Sequence, residues 1–162
     1  MTDSKNTELF ISRNKDLLEL IKPDCKTLYN LQFDDSLYPG EKDNIIRLFT
    51  NILTRIDELK THNNSTINDY LLTTNTSGNT LLNIYLICNI EIKLDDIKLL
   101  LSNIKEHKIM INNDNMTPLH LFLRNNKFDT AIVTELLGSN NHKKMLDKLY
   151  NSPLDYCIKN KI

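Results

Sequence analysis

Glycine and proline are scarce in this 162-residue sequence, which contains three glycines and four prolines. An all-β fold with many tight turns depends on these two residues, so their scarcity argues against such a fold. A long apolar run is also missing, and residues 1–5 are polar. We therefore expect neither a transmembrane span nor a secretory signal peptide.

A basic excess and a cysteine framework are absent as well. The formal net charge is −1 at pH 7, whereas a nucleic-acid-binding module would carry a basic stripe, so we expect no nucleic-acid partner. The three cysteines are far apart and odd in number, which predicts reduced thiols in an intracellular protein. Cys88 and Cys157 are expected to face the core, whereas Cys25 is a candidate for the surface.

The residues that are present predict one soluble domain built from helices. Apolar residues make up 40% and charged residues 25% of the chain, which is ordinary for a globular protein with a substantial core. Between residues 42 and 60 the apolar side chains recur with helical spacing. Pro23 predicts a turn or extended segment before it. Residues 75–78 read as a turn in which Gly78 takes a positive φ angle.

Three similar helix starts recur along the second half of the chain. Each has Thr or Ser as a helix cap and Leu at the second or third position, and the starts lie 37 and 35 residues apart. They are Thr80-Leu81-Leu82-Asn83, Thr117-Pro118-Leu119-His120 and Ser152-Pro153-Leu154-Asp155. Thr27 is predicted to begin a fourth, divergent copy, 53 residues before Thr80. That distance requires an insertion of about 20 residues in a period of about 33.

The Thr-Pro-Leu-His sequence at residues 117–120 belongs to the ankyrin signature, and residues 27–162 resemble ankyrin repeats. The resemblance implies an all-α fold, an ankyrin-repeat solenoid of three to four divergent repeats in which stacked helix pairs bury a common core. Residues 1–26 are predicted to form an N-terminal helical cap. The repeats are predicted at about 27–72, 78–112 and 115–147, with a partial one at 150–162.

The sequence resembles the ankyrin proteins of poxviruses in three features. These are bulky residues in the first helices, irregular lengths between helices, and a composition rich in Asn and Ile. That resemblance implies a non-enzymatic immune-evasion or host-range factor. It would bind and sequester or redirect a host innate-immune, NF-kappaB or cell-death protein in the host cytoplasm or nucleus. The F-box-like segment that many such proteins carry is not found, so the chain is either a fragment or acts by binding alone. The alternative is a structural or oligomerisation ankyrin domain of a larger cellular protein from an AT-rich organism.

The ankyrin resemblance places partner binding on the loop tips and on the exposed side of the first helices. The matching residues are Asn75, Ser77, Asn79, Asn113, Asp114, Met116 and Arg124. Met116 is expected to be an exposed, adaptable contact. The loop at residues 37–40 is a second candidate surface.

No residue pattern predicts a catalytic, cofactor or metal site. His120 is expected to form a hydrogen bond between adjacent repeats, and the other histidines, including His107, are expected at the surface. Asp95 and Asp96 fit the N-terminal end of a helix. The fourth repeat has a first helix without a second one, so the apolar side of Leu154, Tyr156 and Ile158 lacks its cover. This predicts truncation, self-association through the incomplete repeat or a repacked terminal helix.

Overall fold

The structure is a computed structural model, and it describes residues 19–30, 39–61, 66–88, 90–101, 105–125, 129–137 and 144–159. In these ranges the chain is helical and has no β-strand, which confirms the predicted all-α class. Residues 19–29 form helix α1. The elements that follow are α2 (Pro39–Thr61), α3 (Thr66–Leu71), α4 (Leu81–Ile87), α5 (Leu94–Leu100), a 3₁₀ helix (Lys105–Ile109), α6 (Pro118–Asn125), α7 (Thr130–Leu136) and α8 (Pro153–Lys159).

The helices form two rows. In one row α6 contacts both α4 and α8, and in the other row α5 contacts both α2 and α7. The rows are joined because α4 packs against α5 and α6 packs against α7. The core lies between them, and Tyr85, Phe49 and Phe122 are its largest fully buried side chains.

The long helix predicted over residues 42–60 is confirmed as α2. Its buried side chains recur every three or four residues along one face, as the apolar spacing predicted; they are Ile45, Leu48, Phe49, Ile52, Leu53, Ile56 and Leu59. Pro39 and Gly40 begin this helix. Pro fits there because the first turn of a helix does not need its N–H group. The candidate surface at residues 37–40 is thus partly helix, and its residues 37 and 38 lie outside the described residues.

The helix start predicted at Thr27 is wrong. Thr27 lies inside α1, where its hydroxyl donates a hydrogen bond to the carbonyl of Pro23, 3.1 Å away and four residues earlier. The turn predicted before Pro23 is also wrong, because α1 continues through that residue. The boundary predicted after residue 26 therefore falls within a continuous helix, and most of the predicted cap, residues 1–18, lies outside the described residues.

Two side chains expected at the surface are buried. Cys25 is fully buried because it shares one helix face with Ile21 and Leu28, which are also buried. That burial raises the pKa of the Cys25 thiol to about 12, so the thiol stays protonated at neutral pH. His107 lies on the 3₁₀ helix with no exposed surface. His62 and His142 lie outside the described residues.

None of the helices in the described ranges combines the length and the apolar character that a membrane span requires.

Candidate binding surface

Three turns of the same construction precede α4, α6 and α8. We call them turn 1 (residues 75–79), turn 2 (residues 112–116) and turn 3 (residues 147–151). In each turn the first residue is Asn or Asp, and its side-chain oxygen accepts hydrogen bonds from the backbone N–H groups two and four residues later, at 2.9–3.0 Å. These residues are Asn75, Asn112 and Asp147. In each turn two backbone hydrogen bonds of 3.0 Å also join the first residue to the fourth and the fifth, so the side chain and the backbone close the turn together.

The fourth residue of each turn adopts the left-handed conformation. Gly78 has a φ angle of 76°, Asn115 of 57° and Tyr150 of 61°. The predicted positive φ of Gly78 is confirmed. At Gly78 the conformation is accompanied by a close approach, because a Cβ atom there would lie 2.8 Å from the side-chain oxygen of Asn113. Tyrosine is an unfavourable residue in this conformation, and only the position of Tyr150 in the turn explains its geometry.

The turns are stacked on one another through hydrogen bonds. The backbone N–H of Asn113 donates to the carbonyl of Ser77 at 3.0 Å, and that of Lys148 donates to the carbonyl of Asp114 at 2.9 Å. Turns 1 and 2 are also joined by a buried bond of 2.9 Å between the side-chain amides of Asn112 and Asn79. The loops thus form a continuous edge beside the helix row α4–α6–α8.

Each turn leads directly into a capped helix, as predicted. The hydroxyl oxygens of Thr80, Thr117 and Ser152 each accept a hydrogen bond of 3.3 Å from the backbone N–H three residues later. In the last helix Asp155 also accepts from the backbone N–H of Ser152, at 2.8 Å, which completes a reciprocal cap. These caps fix the direction in which each first helix leaves its turn.

His120 joins neighbouring units, as predicted. Its Nδ1 atom accepts from the backbone N–H of Thr117 at 3.2 Å, so the ring proton is on Nε2. Nε2 then donates to the carbonyls of Met145 and Asn151, at 3.0 and 3.1 Å. Burial lowers the pKa of His120, although the contacts with Asn151, Asp147 and Met145 oppose this shift. The neutral ring holds turn 3 against α6 and is not exposed for catalysis.

Asp147 completes this contact from the other side. Its second carboxylate oxygen accepts a hydrogen bond from the hydroxyl of Tyr156 on α8. Burial acts to raise the pKa of Asp147, but the hydrogen bonds from Tyr156, Asn151 and Leu149 outweigh it and leave the pKa below its usual value. Burial and the bond to Asp147 raise the pKa of Tyr156 to about 12. Turn 3 is therefore closed by a charged carboxylate and a neutral phenol.

A polar groove of about 570 Å³ lies beside turns 1 and 2. Five of the seven predicted partner-binding residues line it: Asn75, Ser77, Asn79, Asp114 and Arg124. The sequence reasoning missed its other lining residues, which are Tyr29, Asn30, Thr76, Ile87 and Asn112. A signal for Asn112 was present, because Asn75, Asn112 and Asp147 each stand five residues before a helix start.

The other two predicted contacts lie outside the groove lining. Asn113 is exposed, and its side-chain amide donates to the carbonyl of Thr76 at 2.9 Å. Met116 is 2% exposed, so its predicted exposure is wrong. Met116 is the last residue of turn 2, where its N–H group is drawn to Asn112 and its sulfur lies 3.2 Å from the guanidinium of Arg124. Asn79 has the same position in turn 1 and is also buried, with only 8% of its surface exposed at the groove.

Comparisons with known proteins give no match: no family model, no curated protein and no solved structure matches this chain.

Within the described residues, no group of three or more His, Cys, Asp or Glu side chains is placed to hold a metal ion. The groove instead presents side-chain amides, hydroxyls, one carboxylate and one guanidinium. Such groups donate and accept hydrogen bonds along a surface.

Proposed function

We propose that this chain is a non-enzymatic protein–protein interaction module of the ankyrin-repeat type, and that it binds its partner along the turn edge and the polar groove. The observation that carries the proposal is the groove itself, which collects five residues chosen from the repeat pattern alone. These residues are far apart in the sequence; Asn75 and Arg124, for example, belong to different units. Stacking of the units is what makes them one surface.

The ankyrin assignment is supported by repetition of one structural unit. Each unit combines an Asx-closed turn, a left-handed fourth residue, a Ser or Thr cap and a first helix that packs on the next first helix. One such unit cannot bury its own apolar side, and stacking supplies the missing cover. The Thr-Pro-Leu-His helix start at residues 117–120 adds a sequence feature of that family.

The proposed biological role is that of a poxvirus-type host-range or immune-evasion factor. The chain would hold a host protein of innate-immune, NF-kappaB or cell-death signalling and so remove it from its pathway. The bulky first helices and the Asn- and Ile-rich composition support this assignment. A stable complex needs about 1,200–2,000 Å² of total buried surface. An interface of this size extends beyond the groove, so the partner would also cover the neighbouring turn tips.

Affinity capture from a host-cell lysate with matched variants tests the proposal. Ser77→Arg and Asp114→Arg place long cationic side chains at the exposed groove rim, and Glu58→Arg makes a similar change at an exposed position of α2. A reproducible partner should be captured by the wild type and by Glu58→Arg, and lost with both groove variants. A partner retained equally by all four proteins would refute the binding surface. Capture of no reproducible partner would refute the role as a host-protein ligand.

A further inference from the structure

The apolar side of α8 is covered only in part. Leu154 and Ile158 are exposed, as predicted, whereas Tyr156 is 7% exposed because it packs inward on His120 and Asp147. Nothing in the described residues identifies what lies on this face, so self-association through it stays a prediction. The polar groove beside turns 1 and 2 is different, because its lining includes hydrogen-bonding and charged groups that no described residue satisfies.

Two of the amide side chains in the groove are already used to build it. The side-chain oxygen of Asn75 closes turn 1, and its amide nitrogen donates to the carbonyl of Tyr29 at 3.3 Å. The side chain of Asn112 closes turn 2 with its oxygen and donates to Asn79 with its nitrogen. A ligand would therefore find no free group on Asn75 or Asn112.

Asn79, in contrast, keeps a free donor. The oxygen of Asn112 accepts from two backbone N–H groups, so the atom that Asn112 turns toward Asn79 is its nitrogen. The atom of Asn79 in this bond must then be the oxygen, which leaves the amide nitrogen of Asn79 without an acceptor among the described residues. Asn79 is 8% exposed and lines the groove. A donor on so deeply buried a side chain calls for an acceptor, and a ligand in the groove would supply one.

The two charged residues of the lining are also unpaired. The guanidinium of Arg124, near the end of α6, lies 3.2 Å from the sulfur of Met116 and forms no ion pair with a described residue. Asp114, in turn 2, bonds through its backbone, and its carboxylate likewise forms no ion pair within the described ranges. Both side chains are exposed. A ligand that brings the opposite charge to each of them would be complementary to the groove.

We infer that the ligand of the polar groove is an extended polypeptide segment that carries one acidic and one basic side chain. The acidic side chain pairs with Arg124, the basic one pairs with Asp114, and a backbone carbonyl accepts from the amide nitrogen of Asn79. An extended segment fits because its carbonyls are free, whereas those inside a helix are bonded within the helix. The inference rests on the proposed function, since it takes the same groove and adds the chemistry of its ligand.

A phage-displayed library of random peptides, selected on the immobilised 162-residue chain, provides the probe. The selected peptides should share an acidic and a basic residue in one order and at one spacing. The most enriched peptide is then synthesised with a fluorescein label, and its binding is measured by fluorescence anisotropy. Replacing either charged residue of the peptide by Gln should weaken binding by at least about threefold, and added salt should weaken it further.

Matched variants assign each charge of the peptide to its partner. Selection on Arg124→Gln should lose the preference for an acidic residue, whereas selection on Arg47→Gln, an exposed position of α2, should keep it. The double variant Asp114→Arg with Arg124→Asp exchanges the two charges, and it should select peptides in which their order is reversed. These substitutions are at exposed side chains and leave the hydrogen bonds of the turns in place.

A third variant tests the amide. Asn79→Asp keeps the oxygen that accepts from Asn112 and replaces the free donor by an acceptor. It should weaken binding of the selected peptide by about tenfold, and a thermal unfolding curve recorded beside that of the wild type checks that the variant is folded. Equal binding by a folded Asn79→Asp would show that its amide nitrogen does not hold the ligand.

The inference is overturned if no peptide is enriched, if the enriched peptides lack the two charges, or if Arg124→Gln binds the charged peptide as tightly as the wild type. The proposed function fails in a different way. Peptides with the expected charges, but no host protein captured from lysate, would leave the ligand chemistry intact and refute the role as a host-protein ligand. A host protein captured through the groove, with only uncharged peptides selected, would leave the binding surface intact and refute the charge pairing.

Discussion

Asn112 joins turns 1 and 2, and its removal should destabilise the protein strongly. Its side-chain oxygen accepts from the backbone N–H groups of Asp114 and Met116, at 2.9 and 3.0 Å. Its amide donates to Asn79 at 2.9 Å in a buried position. Each bond contributes about 1 kcal/mol net, and a buried partner left without its bond costs more. We therefore expect Asn112→Ala to lower the free energy of unfolding by about 3 kcal/mol, and the midpoint temperature by about 10 °C.

Two control variants make this prediction specific. Asn112→Asp keeps both acceptor functions, as Asp147 does in turn 3, but leaves the buried side-chain oxygen of Asn79 without its donor, so its cost should be about 2 kcal/mol. Asn113→Ala removes one exposed hydrogen bond next to it and should cost at most about 0.5 kcal/mol. Urea unfolding followed by circular dichroism measures all three. If Asn112→Ala were no more destabilising than Asn113→Ala, the side chain would not be what closes turn 2.

Three further predictions concern backbone geometry and pH. Gly78→Ala should destabilise the protein by about 2 kcal/mol, because the φ angle of this residue is 76°. The new Cβ atom would also lie 2.8 Å from the side-chain oxygen and 3.0 Å from the backbone nitrogen of Asn113. Thermal unfolding of the variant at or above the wild-type midpoint would contradict this. Tyr150→Gly should instead raise the free energy of unfolding by about 0.5–1 kcal/mol, since Tyr150 has a φ angle of 61° and is 81% exposed. Urea unfolding of the variant should show a higher midpoint. A lower midpoint would mean that the tyrosine ring has a packing role. Burial and the charge of Lys60 lower the pKa of His107 to about 4. Between pH 6.5 and 4 the folded protein therefore binds fewer protons than the unfolded chain. The free energy of unfolding should fall by up to about 3 kcal/mol as the pH drops through this window. An NMR titration of the His107 ring with a midpoint near 6.5 would refute the last of these.

Features that depend on neighbouring residues were predictable from the sequence. The caps at Thr80, Thr117 and Ser152 use the residue itself and the N–H group three positions later, so the local sequence contains the whole interaction. The left-handed residues Gly78 and Asn115 follow from backbone sterics in the same way. Thr27 shows the limit, because Thr also occurs inside helices, where its hydroxyl bonds to the carbonyl four residues earlier.

Features that depend on contacts between units were not predictable from a single sequence. The burial of His107 was not predicted, because this residue stands in a polar stretch of the sequence. Cys25 did have a local signal, since it shares a helix face with Ile21 and Leu28, but the turn predicted at Pro23 concealed that face.

Met116 was assigned to the surface because the ankyrin resemblance places binding on the loop tips, but the residue is buried and its sulfur lies 3.2 Å from the guanidinium of Arg124. Five residues of the groove could be named from the sequence, because the repeat pattern identifies equivalent positions in successive units; their use in partner binding stays a prediction.

The self-closing turns have a consequence for how the chain tolerates changes in length. The bonds that Asn75, Asn112 and Asp147 accept inside their own turns join residues two and four positions apart, so the closed shape of each turn is specified locally. The turns are 37 and 35 residues apart, and yet they have the same geometry. Insertions and deletions between the turns can therefore be absorbed in the linkers at the other end of the helices, while one residue added within a turn would break it. A chain built in this way can vary its spacing and its surface without changing its fold.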